Sequence, residues 1–163
     1  MTSSKITLNV QSEVGKLDAV LTHYPGPEVE NMTPRNAQRA LYSDILNLSI
    51  ARKEYDQLLG VLNKSSKVFE VSDLLVKVLE REDLKEALIK KICSMEQVYG
   101  YVDYLMDQPA NKLAKMLIEG LPIQINTLTD FLRDEYYALQ PLYNFYFTRD
   151  PSVIIGNNAL ICK

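Results

Sequence analysis

Pro141-Leu-Tyr-Asn144-Phe-Tyr-Phe147-Thr-Arg149-Asp150-Pro-Ser-Val-Ile-Ile-Gly-Asn-Asn-Ala-Leu-Ile-Cys162 is the stretch from which the rest of the chain is read. Val153 to Ile155 and Ala159 to Ile161 are apolar, strand-like runs. Gly156-Asn157-Asn158 between them supplies residues tolerant of positive φ, so a hairpin is predicted. Pro151 cannot donate a ladder hydrogen bond, which puts the Asp150–Pro151 step at the edge of that hairpin. A carboxylate fixed there beside Tyr146 and Phe147 suits a planar cation such as a guanidinium. It would accept two parallel N–H bonds while an aromatic face covers the delocalised charge. On spacing alone a structural role is favoured, with Asp150 pairing with Arg149 or capping a turn.

Upstream, Ile6 to Val10 alternates like a short strand, Gly15 marks a turn, and Lys16 to His23 reads as a second, buried strand. Tyr24-Pro-Gly-Pro27 ends it. Thr33-Pro34 is a helix start. Leu41, Ile45, Leu48, Tyr55, Leu59 and Leu62 then share one face of a helix of about seven turns. Lys67 to Val71 follows as a third strand. From Ser72 to about residue 132 the period is helical. Asp83 precedes one apolar stripe, Ser94-Met-Glu-Gln97 has the form of a capping box, and Pro109 opens a helix that Gly120-Leu-Pro122 closes. Thr127 to Leu132 is a candidate last helix.

A chain of 163 residues, 47% hydrophobic and 24% charged with a net charge of −3, has the composition of an ordinary globular protein. It carries no basic footprint for nucleic acid and no apolar run long enough for a membrane span. Ten tyrosines without interleaved basic residues read as packing. Cys93 and Cys162 are too far apart to form a disulfide framework, and the amino terminus lacks a signal-like apolar segment, so a cytoplasmic setting is expected.

The segment Pro141-Leu-x-Asn144-x-x-Phe147-Thr-Arg149-Asp150 resembles the substrate-binding segment of the arginine deiminases, guanidine-modifying enzymes that hydrolyse L-arginine to L-citrulline and ammonia. Ser12-Glu-x-Gly15-Lys-Leu17, Val20-Leu, Pro25-Gly26, Met32-Thr33-Pro34-x-Asn36, Leu41-Tyr-x-Asp44 and Ala51-x-x-x-Tyr55 resemble that family's first module in order and spacing. Pro109-x-x-Lys112-Leu-Ala114-x-x-Leu117-Ile-x-Gly120 resembles a helix of its inserted domain. The resemblance implies an α/β (α+β) fold. Residues 1–71 would be one ββαβ module of an α/β propeller, 72–132 an inserted all-α subdomain, and 133–163 a connector and the first hairpin of a second module. The propeller would be incomplete.

It also implies substrate-binding roles for Asp150, which matches a guanidinium-binding aspartate, for Asn144 and Phe147, and for Leu41 at the border of the site. No cofactor is implied. A deiminase further needs a cysteine nucleophile and a His-x-Asp base, and neither is matched here. Cys93 and Cys162 lie in apolar contexts where a thiol stays protonated, and both read as structural. His23, the only histidine, has Pro25 two residues on and reads as a hydrogen-bonded strand-end residue. One histidine and two separated cysteines make no zinc site, and no phosphate loop is present.

The sequence is therefore expected to be an amino-terminal part of an arginine deiminase-like protein, inactive alone, binding L-arginine weakly or not at all. The alternative is a non-catalytic binding, regulatory or assembly module of the same descent. Its expected partners are the remaining propeller modules or a second copy of itself, joined through exposed strands.

Overall fold

The computed structural model describes residues 7–31, 46–123 and 136–162. The chain's order is β1 (Ala19–Thr22), α1 (Pro27–Glu30), α2 (Leu48–Ser65), β2 (Lys67–Glu70), α3 (Val71–Leu79), α4 (Glu82–Met95), a 3-10 turn (Tyr99–Tyr101), α5 (Val102–Met106), α6 (Ala110–Glu119), β3 (Leu121–Pro122), β4 (Tyr137–Leu139), β5 (Ser152–Ile155) and β6 (Asn158–Ile161). It is a mixed α/β chain whose described strands form three two-stranded sheets and no closed barrel.

β1 and β2 pair in parallel, Ala19 opposite Lys67 through Thr22 opposite Glu70, with α2 as part of the crossover. Of the expected Ile6–Val10 strand, the described part makes one bridge. Val10 exchanges both backbone hydrogen bonds with Gly156, at 3.0 and 2.8 Å, and does not pair with β1. The long helix expected from Leu41 to Leu62 does not run continuously through its middle. Asn47 is extended, and its side chain accepts from the Ser49 and Ile50 N–H groups, so a fresh N-cap starts α2 at Leu48. Thr33-Pro34, Leu41, Ile45 and the Thr127–Leu132 helix lie outside the described residues.

The helical stretch begins at Val71, directly on β2. Leu79, Ile89, Cys93, Leu105, Leu113, Ala114 and Leu117, with Leu121 and Leu139 from the β3–β4 pair, form the core. The buried Lys85 reaches the Met106 carbonyl at 2.5 Å, placing a cation on the last turn of α5. Ser94 is not the N-cap its spacing suggests, because it lies inside α4. Glu96 caps that helix, Gln97 turns left-handed at φ 58, and the Val98 N–H returns to the Cys93 carbonyl at 2.9 Å, a Schellman closure without its usual glycine. Gly120 does end α6 as expected, at φ 90, and a Cβ there would press on Pro141 at 2.8 Å.

At the carboxyl end the expected hairpin forms, Ser152 pairing with Ile161 and Ile155 with Asn158, so the loop is one residue shorter than the expected Gly156-Asn157-Asn158. Only Gly156 of the three loop residues uses positive φ, and Asn158 already belongs to β6.

Candidate functional site

The segment before the hairpin is a run of turns. Phe145 N–H donates to the Leu142 carbonyl, Phe147 N–H to Asn144 and Asp150 N–H to Phe147, at 3.0, 3.0 and 3.2 Å. Asn144, Phe147 and Asp150 thus recur at every third position, each linked to the next by one backbone hydrogen bond, and all three are exposed. Of the residues between them, Phe145 and Thr148 face the protein, whereas Arg149 is exposed. The Phe145 ring meets the His23 ring at 4.8 Å, and Thr148 Oγ1 donates to the Leu21 carbonyl at 2.9 Å. Three of the four expected substrate residues therefore share one short surface; Leu41 lies outside the described residues. Arg149 pairs with Glu13 at 2.6 Å rather than with Asp150.

Under this surface lies a cluster that spacing did not reveal. His23 Nε2 is 3.1 Å from Glu28 Oε1, and Nδ1 is 3.0 Å from Glu70 Oε1. The expectation of a hydrogen-bonded strand-end histidine is met, with two acids where none was foreseen. Thr22 is the last residue of β1 and pairs with Glu70, so the parallel register itself brings the next residue, His23, to that carboxylate. Pro27 at the first position of α1 folds Glu28 back, and its Oε1 also accepts the Gly26 N–H at 2.7 Å. A Cβ at residue 26 would meet that carboxylate, so a larger residue there would displace Glu28 from its place beside His23. Glu28 Oε2 is buried without a hydrogen-bond partner among the described residues.

Burial alone would lower the His23 pKa, but the hydrogen bonds and charges of Glu28 and Glu70 raise it to about 9. Burial would likewise raise Glu70, yet the His23 hydrogen bond, then the Tyr24 N–H, hold its carboxyl below the ordinary value. His23 is committed to this cluster and its second nitrogen is not free to act as a base.

Cys93 is buried in the helical core, where desolvation raises its pKa, as expected of a packing residue. Cys162 departs from that expectation. It lies exposed just beyond β6, in a hairpin whose apolar residues meet solvent among the described residues. Among the described residues no group of His, Cys, Asp and Glu is placed to hold a metal ion, and no helix is long and apolar enough to cross a membrane.

Comparison with known proteins bears directly on these residues. A family profile described as arginine deiminase matches residues 38–163. The chain is 36% identical to an arginine deiminase of Listeria innocua over 173 aligned positions, covering 96% of this chain and 41% of that protein. It is 34% identical to one from Lactococcus lactis subsp. cremoris and 31% to one from Latilactobacillus sakei, covering 96% of this chain and 42% of each. The chain spans about two fifths of the length of these relatives.

Proposed function

Because this chain belongs to the arginine deiminase family and matches only part of its relatives' length, we propose that it is the amino-terminal, guanidinium-holding part of an enzyme that hydrolyses L-arginine to L-citrulline and ammonia. The observation that carries this reading is the exposed row Asn144, Phe147 and Asp150, seated on β1 through Phe145 and Thr148. Asp150 would grip two guanidinium N–H groups in the plane while Phe147 covers the face of the cation. Leu41 would border the same pocket. The nucleophile and the proton-transferring base are assigned to sequence outside these 163 residues, so this chain alone does not turn over.

In the same proposal residues 1–71 are one ββαβ propeller module, 72–132 its helical insertion and 133–163 the start of a second module. The strand, helix and parallel strand β1, α2 and β2 support that order. A cytoplasmic setting accords with two unbridged cysteines.

The test is a titration of the isotope-labelled chain with L-arginine, followed by NMR, beside a citrulline assay. The amides of Asn144, Phe147 and Asp150 should shift, weakly and saturably, and Asp150→Asn should abolish the shifts, with no citrulline formed. Shifts that survive Asp150→Asn, shifts elsewhere only, or turnover by this chain would refute the reading.

A second reading, an assembly module, is favoured by the uncovered hairpin, where Ile155, Leu160 and Ile161 are 60%, 55% and 81% exposed. It predicts self-association in sedimentation, and a clean monomer at high concentration counts against it.

A further inference from the structure

The geometry around His23 suits a ring that donates from both nitrogens. Both ring nitrogens sit at hydrogen-bond distance from carboxylate oxygens, 3.0 and 3.1 Å. An ionised carboxylate only accepts, and a neutral imidazole has only one N–H to give. With both acids ionised, the ring is an imidazolium. The His23 and Glu28 side chains are 5% and 1% exposed, so the pair is withdrawn from water.

Among the described residues, few other charges reach this cluster. From α2, the Tyr55 hydroxyl accepts the His23 backbone N–H at 3.2 Å, and Arg52 donates to the Pro25 carbonyl and lies over the Tyr24 ring. Asp56, also on α2, faces Tyr24. From α3, the Ser72 hydroxyl donates to Glu70. From the turn segment, the uncharged ring of Phe145 meets the imidazole at an inclination of 63°.

We propose that His23, in its charged form, is the positioning residue of the Asn144–Asp150 turn: the imidazolium gives Phe145 a fixed seat, and Phe145 holds the exposed row against the end of β1. The contact is of the edge type, the geometry in which an imidazolium presenting its positive edge to a phenyl face holds that ring more firmly than a neutral imidazole does. The turn has a second seat on β1 itself, where Thr148 bonds the Leu21 carbonyl, beside the exposed Arg149–Glu13 pair. One seat is a neutral hydrogen bond and the other depends on a proton. Glu28 and Glu70 keep that proton in place until about pH 9, so the seat is charged throughout the neutral range. The inference rests on reading the row as the guanidinium grip, but its test uses no arginine.

The whole chain, labelled with nitrogen-15, is followed by NMR across the alkaline range, with amide exchange expressed as protection factors. Both His23 ring nitrogens should be protonated at neutral pH, and the ring should titrate near 9. The amide shifts of Asn144, Phe147 and Asp150 should follow the same midpoint, which a purely structural histidine would not impose on them. In His23→Gln at neutral pH the Phe145, Phe147 and Asp150 amides should lose protection by ~10-fold or more, while Ile89 and Leu113 keep theirs. Phe145→Leu removes the seated ring, leaves the cluster intact, and should give the same local loss should His23→Gln not fold. A neutral His23 at pH 7, turn amides indifferent to its titration, or protection lost equally at Ile89 and Leu113 would overturn the proposal. Absence of arginine-induced shifts would sink the guanidinium reading and leave these outcomes as they are.

Discussion

Leu113 and Leu160 are the same residue type in opposite settings, 0% and 55% exposed. Leu113 belongs to α6, one of several helices that each turn an apolar stripe inward and close a core with β3 and β4. Leu160 belongs to a four-residue strand in a two-stranded hairpin whose apolar residues on both faces meet solvent. Helices carrying one stripe each can satisfy themselves by packing together. A strand apolar on both faces needs a layer on each side, and a lone hairpin has neither. Apolar sequence therefore means finished packing in one region and uncovered surface in the other.

The sharpest way to break this contrast is to truncate both leucines. Leu113→Ala should cost roughly 2–5 kcal/mol in urea unfolding. Leu160→Ala should change stability by less than about 0.5 kcal/mol. Equal losses would mean that the hairpin is covered in solution.

A second test separates the helical core from the β1 end by pH. The folded His23 value is about 9 against an ordinary 6.5, so its contribution is full below pH 6.5, declines above that, and is gone beyond about 9. The loss should be on the order of 3 kcal/mol, read from melting temperatures, and should flatten in His23→Gln. Glu70, held below its ordinary 4.5, acts in the opposite sense: its contribution is present above that value and fades as the medium turns acid. Amides of α4 and α6 should be the last to report either change.

Gln97 offers a smaller effect of opposite sign. Its left-handed φ of 58 costs an L-residue energy that glycine does not pay, so Gln97→Gly should stabilise the helical region by about 0.5–1 kcal/mol. The smallest effect belongs to the exposed pair Arg149–Glu13. Arg149→Ala should shift the midpoint by no more than ~0.5 kcal/mol and less still in high salt.

How far the sequence could be read followed the range of each interaction. The order of β1, α2 and β2, the change of period near residue 71, the glycine closing α6 and the Gly156 hairpin were legible because each depends on neighbours a few positions apart. α1 was missed because four residues after Pro-Gly show no period. The Ser94–Gln97 spacing misled because the same small and polar residues that begin a helix also occur where one ends. Asn47 was hidden in the middle of a continuous apolar stripe. Of the site, the row Asn144, Phe147 and Asp150 was named from its motif, whereas the acids around His23 were not. Glu70 reaches His23 across 47 positions and only through the parallel register, which no local pattern encodes.

The β3–β4 pairing has a bearing on descent. Leu121 opposite Leu139 stitches together the point where the chain departs after α6 and the point where it comes back. With both ends pinned side by side, the polypeptide between them can lengthen, shorten or diverge at little cost to what lies on either side. Related sequences should therefore differ most in length between Pro122 and Tyr137, while the turn that follows keeps its place.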